Sequence, residues 1–135
     1  MPSFNHQPQL PSLARDEGEG FLQTIQLRDR SEILATARWH APMGQQGVVQ
    51  LIELVVSPSH CRRGHGSTLL REVIQQATAL HKLKKLRLRR LWVSVEQKTQ
   101  VIARAFLTQH GFHHTATMKE LLADQDALIY VRTFD

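Results

Sequence analysis

The sequence holds one cysteine, one tyrosine and few aromatics of any kind. Cys61 has no partner within the chain, which excludes a disulfide-stapled secreted scaffold and fits a reducing compartment. No stretch approaches the roughly 20 consecutive apolar residues of a membrane span. Residues 1–20 contain no apolar run of the kind that forms a signal-peptide core. A cytoplasmic protein without a membrane partner is therefore expected. Histidine is plentiful, but His60, Cys61 and His65, and the pair His113 and His114, lack the spacing of a four-ligand zinc site, so no metal is expected.

What is present is a chain of 135 residues, 41% hydrophobic, with a net charge of +5. That length makes one domain with a workable core. A pI near 10 favours an anionic partner without choosing among a small molecule, a nucleic acid and an acidic surface. The run His81–Arg90 concentrates Lys82, Lys84, Lys85, Arg87, Arg89 and Arg90. It could grip RNA or an acidic protein. It lacks the interleaved aromatics of a nucleic-acid surface, however, and reads better as a solvated helix end and strand entry.

Residues 1–19 carry Pro2, Pro8 and Pro11 among polar residues without periodicity and read as a flexible arm. The ordered domain is expected over residues 20–135. Phe21–Leu27 alternates as a strand, Arg28–Ser31 turns, and Ile33, Ala35, Ala37 and Trp39 mark one face of a second strand. Val48–Val56 is apolar enough for a central strand. Leu69, Leu70, Val73, Ile74, Ala77 and Leu80 recur at helical spacing and predict one buried helix face. Leu91–Val95 is a strand. A second helix over residues 99–110 points Val101, Ile102, Ala105 and Phe106 inward and stops at Gly111. Phe112–Met118 and Ala127–Phe134 complete an α/β, mixed α+β chain of order β-β-β-α-β-α-β-β.

The densest information lies in Leu51–Leu70, where an apolar strand runs through a basic, glycine-containing turn into an amphipathic helix. Gly64 and Gly66 allow a sharp turn and close backbone approach to a ligand. The first amides of the helix and its dipole favour an anion there, and Arg62 and Arg63 add permanent charge, so the turn reads as a phosphate cradle. A dinucleotide fingerprint would need glycine where Leu69 stands, and the lysine of a P-loop is absent.

The strand, Val56-Ser-Pro58, the basic segment, Gly64-His-Gly66 and the Leu69-Leu70 helix together resemble the coenzyme A pyrophosphate motif of the GNAT superfamily of N-acetyltransferases. Leu91–Val95, Ala103 and Gly111-Phe112 are similar to that family's next strand, helix and closing Gly-Phe. The resemblance covers roughly residues 21–134 and implies a central, mostly antiparallel mixed sheet with two main helices. It further implies that acetyl-CoA is the co-substrate, lying where strands 48–56 and 91–95 splay apart. Its pantetheine would pair with the backbone of Leu54, Val55 and Val56, and its pyrophosphate would sit on Arg62, Arg63, Gly64, His65, Gly66 and Ser67. Gln100 stands where the family has a cofactor-binding Asn. Cys61 replaces the usual Gln or Arg three residues before the first glycine, and part of the basic run could meet the 3′-phosphate.

In such enzymes an amine attacks the thioester directly, a backbone amide polarises the oxyanion, and a carboxylate or histidine first takes a proton from the amine. Glu53 is the candidate base, expected on the same strand face as Leu51 and Val55. The alternative for Glu53 is a sheet carboxylate that reaches solvent or pairs with an arginine. The tyrosine that usually protonates the thiolate is replaced by Leu107, while Tyr130 is read as a packing residue. The family's opening strand and helices have no room before residue 21, which leaves the acceptor side open or closed by a second copy in a homodimer. The reading is an N-acetyltransferase acting on a primary amine. A non-catalytic acyl-CoA-binding module, motivated by Leu107, and a basic RNA-binding domain are the alternatives. A protein N-terminus, a lysine, a polyamine and an antibiotic amine would use the same coenzyme half-site, so the acceptor, small molecule or protein, stays open.

Overall fold

The computed structural model describes residues 2–8, 21–41, 47–60, 64–97, 100–122 and 124–135. The chain divides into two compact units, Met1–Leu88 and Arg89–Asp135. The first contains strands β1 (Pro2–Pro8), β2 (Phe21–Asp29), β3 (Glu32–Ala41) and β4 (Val48–Val56), a 3-10 turn at Pro58–His60 and helix α1 (His65–Leu83). The second contains β5 (Arg90–Glu96), α2 (Val101–Gln109), β6 (His113–Leu122) and β7 (Gln125–Thr133).

In the first unit the strands pair antiparallel in the order β1-β2-β3-β4. The expected order holds from β2 onward, with one strand more before it. Residues 2–8, expected in a loose arm, instead pair with β2 from Pro2 opposite Asp29 to Pro8 opposite Gln23. The prolines that suggest an irregular segment stand at the two ends of this strand, where a missing N–H is tolerated. Residues 9–20 lie outside the described residues.

α1 packs on β2, β3 and β4. It buries Leu69, Leu70, Val73 and Ala77, spaced as one helical stripe. The sheet contributes Ile25, Leu27, Ala35, Ala37, Trp39, Val49 and Leu51, all buried. Ile33, expected on this face, is 39% exposed. A register shift between Leu27 and Arg28 places Arg28 opposite Ile33 and Leu27 opposite Ala35, so Leu34 is the extra residue. α1 ends with Lys85 in the left-handed region at φ 60. The amide of Leu86 reaches back to the His81 carbonyl at 2.8 Å, as a Schellman end requires.

In the second unit β5 and β6 flank β7, both antiparallel to it. Leu91, Val93, Val95, Leu107, Phe112, Ala127, Leu128 and Tyr130 are buried. α2 differs from the sequence expectation in its rotation. Val101 is 58% and Ile102 83% exposed, Ala105 is exposed, and Leu107 at 3% is the buried residue of the helix. At about 100° per residue, Leu107 lies roughly 140° from Ile102 and 160° from Ala105, so burying Leu107 turns the other two outward. The phase is pinned at both ends. The Gln100 carboxamide oxygen accepts the Glu96 amide, while the Phe112 amide bonds the Leu107 carbonyl at 2.9 Å and that of Gly111 bonds Thr108 at 3.2 Å. Among the described residues no helix is long and apolar enough to cross a membrane.

Gly111 has φ 85, and a Cβ built there would meet nothing nearer than the Arg132 side chain at 3.8 Å. Gly111→Ala is therefore expected to lose about 1 kcal/mol from backbone strain alone, read as a lower denaturant midpoint at unchanged slope.

Candidate functional site

β4 leads through Pro58–His60 towards Gly64, which begins α1. Gly64 takes φ 79, ψ 7 as the N-cap, and no side chain caps the helix. The Gly64 carbonyl accepts the Thr68 amide and the Thr68 hydroxyl, each at 3.0 Å. The first turn carries no acidic residue. His65, Gly66 and Ser67 thus form the positive end of a five-turn helix with no carboxylate of their own. The Cβ missing at Gly64 would meet nothing within 4 Å, so the glycine answers to its backbone angles rather than to crowding. Cys61, Arg62 and Arg63 lie outside the described residues.

Leu54, Val55 and Val56 stand opposite Ala37, Thr36 and Ala35 of β3. The Ser57 amide bonds the Leu34 carbonyl at 2.9 Å, which makes Val55, two residues earlier, the one whose main-chain groups also face β3. Alternation turns those of Leu54 and Val56 to the opposite edge of β4.

Glu53 differs from the expectation in its face. Trp39 pairs with Leu51 and Arg38 with Glu53, so Ile52 is an extra residue bulged out of β4. Because strand faces alternate every residue, one inserted residue reverses the pattern. Leu51 stays with buried Trp39, while Glu53 shares the other face with Arg38, Thr36 and Val55. Glu53 is half-buried there, and Val55 is 52% and Ile52 41% exposed. Nothing in the apolar pattern of β4 marked Ile52 as the inserted residue; the signal lies in the pairing with β3.

In the second unit Gln100 accepts the Glu96 amide with its carboxamide oxygen. Leu107 is core. Tyr130, buried as expected of a packing residue, also accepts a hydrogen bond from Arg104 Nε at 3.4 Å. That pair joins positions 26 residues apart, and no spacing rule would have found it.

The model of the Acetyltransferase (GNAT) family matches residues 2–112 of this sequence. No curated protein matches it. Among solved structures, a GNAT-family protein from Desulfovibrio desulfuricans superposes with a TM-score of 0.78 at 18% identity, covering 98% of this chain and 99% of that one. The ribosomal-protein-S18-alanine N-acetyltransferase of Escherichia coli gives 0.73 at 17%, covering 98% and 94%. The PaiA N-acetyltransferase of Thermoplasma acidophilum, solved in complex with coenzyme A, gives 0.63 at 14%, covering 84% and 61%. The chain belongs to the GNAT acetyltransferase family, and its fold is that family's mixed, mostly antiparallel sheet with two main helices.

If Leu107 is a core position rather than a place for an acid, Leu107→Tyr should lower stability by about 1–3 kcal/mol through overpacking. Thermal unfolding followed by circular dichroism measures it. A variant as stable as the parent would show room there for a phenol.

Proposed function

We propose that this protein transfers the acetyl group of acetyl-CoA to a primary amine. The observation that carries the reading is the start of α1: a helix N-terminus begun by left-handed Gly64, with no acid in its first turn. It follows a strand whose Leu54 and Val56 main-chain groups turn away from β3. The amides from Gly64 to Ser67 receive the pyrophosphate, with Arg62 and Arg63 adding charge. Leu54 and Val56, whose main-chain groups turn away from β3, supply backbone partners for the pantetheine, whereas Val55, expected to share that role, faces β3; the Gln100 carboxamide nitrogen is a further donor. The complex of the Thermoplasma protein with coenzyme A supports coenzyme binding in this fold.

In this reading, Glu53 takes a proton from the acceptor ammonium through water. The free amine adds to the thioester carbonyl, a β4 amide stabilises the oxyanion, and the C–S bond breaks to release the thiolate. Water protonates the thiolate, whose pKa is low enough to leave without a dedicated acid. Buried Leu107 favours a second reading, in which the chain binds acyl-CoA without turning it over. The protein is read as cytoplasmic, with a homodimer as one way to cover the open face of β4.

Isothermal titration with acetyl-CoA is expected to show one site per chain, abolished by Gly66→Trp, which places an indole over the first-turn amides. Free-thiol release with a panel of amines should then fall by about 100-fold or more in Glu53→Gln, with little change in coenzyme affinity. Binding without thiol release would select the second reading. No binding at all would sink both.

A further inference from the structure

Within the second unit an open groove of about 620 Å³ is lined by Val101, Arg104, Ala105, Thr108 and Gln109 of α2 and by Tyr130 of β7. Among the described residues no acidic side chain lines it. Arg104 is half-buried and is held by two neutral acceptors: its Nε donates to Tyr130 Oη at 3.4 Å and its Nη1 to the Gln97 carbonyl at 3.3 Å. Among the described residues no carboxylate pairs with it and Nη2 has no partner. A partly desolvated guanidinium without a counter-ion is costly, and an anion would relieve that cost.

Tyr130 is 5% exposed. Its Oη accepts from Arg104, so its own proton remains to be donated, and no acceptor for it stands among the described residues. The ring is fixed from behind by His114, stacked at 5.6 Å and 30°. His114 is itself tied down by donating Nε2–H to the Ala116 carbonyl at 3.0 Å. Two donors, one of them charged, therefore converge on one place. Beside them, exposed Val101 and Ala105 offer a short apolar wall.

Donors in this arrangement match a carboxylate: one oxygen on Arg104 Nη2, the other on the phenol. A single arginine gives one positive charge, which suits a monoanion better than a phosphate dianion or a polyanion. We propose that this groove binds a small monocarboxylate, its oxygens on Arg104 Nη2 and Tyr130 Oη and its apolar tail along Val101 and Ala105. None of its lining residues is among the coenzyme and acceptor residues assigned above.

The test is a titration of the full chain, ¹⁵N-labelled, with isovalerate and with the neutral isovaleramide, followed by amide chemical shifts. Saturable shifts confined to α2 and its neighbours on β6 and β7 are expected for the acid, with affinity at least about tenfold weaker for the amide. Arg104→Gln should lose at least tenfold. Tyr130→Phe should weaken binding several-fold, and Ala105→Trp, at an exposed position, should block the groove while leaving Arg104 in place. If Arg104→Gln fails to fold, the other two variants decide. No saturable shift with isovalerate, equal binding of acid and amide, or full binding by Ala105→Trp would overturn the proposal. Because a peptide C-terminus shares the chemistry, N-acetyl-glycyl-leucine is the third probe; binding tighter than isovalerate would move the assignment from a free acid to a chain end.

Discussion

Burial of one stripe of α1 against β2, β3 and β4 is the interaction on which the first unit depends. Leu69, Leu70, Val73 and Ala77 are all at most 1% exposed. They fix both the rotation of the helix and the height at which it begins. That height sets where the first-turn amides come out relative to the end of β4. The coenzyme site proposed there is made of backbone and needs such anchoring, because no side chain can compensate for amides that point the wrong way. The anchor lies in the second and later turns, so the first turn is free to carry glycine and histidine rather than apolar residues.

The second constraint is the bulge at Ile52. A regular β4 would have kept Glu53 on the face of Leu51, under α1, where an unpaired carboxylate would be expensive to bury. One extra residue moves Glu53 to the face it shares with Arg38 and Thr36, and lets the strand satisfy both requirements. Its first half feeds the core through Val49 and Leu51, while its second half turns Glu53 to the opposite face. The cost is one residue outside the ladder and an isoleucine 41% exposed.

The second unit solves its own packing differently. α2 is short and buries little beyond Leu107, so its position comes from its ends: the Gln100–Glu96 clasp before it and the Gly111 turn after it. This leaves an unusual share of the helix outside the core, and Arg104 and Tyr130 meet on that outer side. The single tyrosine is thus both a packing residue, through its ring, and a polar group with a partner, through its hydroxyl.

The sequence by itself determined the elements from Phe21 onward, the helix begun by glycine, the buried stripe of α1 and the turn at Gly111. These follow from local rules: spacing of apolar residues, glycine where φ must be positive, and charge at a helix start. The family was legible for the same reason, since its motif is a local run from Leu51 to Leu70. Tertiary structure alone decided the rest. Strand β1 forms because β2 offers it an edge, although Pro2, Pro8 and its polar composition argue locally for a coil. The face of Glu53 depends on which residue of β4 the neighbouring strand skips, and that is a property of the pair rather than of β4. The rotation of α2 is not legible locally, because Val101, Ile102 and Ala105 form as good an apolar stripe as the one that is buried. A nine-residue helix tethered at both ends takes the rotation its tethers impose, and hydrophobic periodicity, blind to tethers, could not choose between the two.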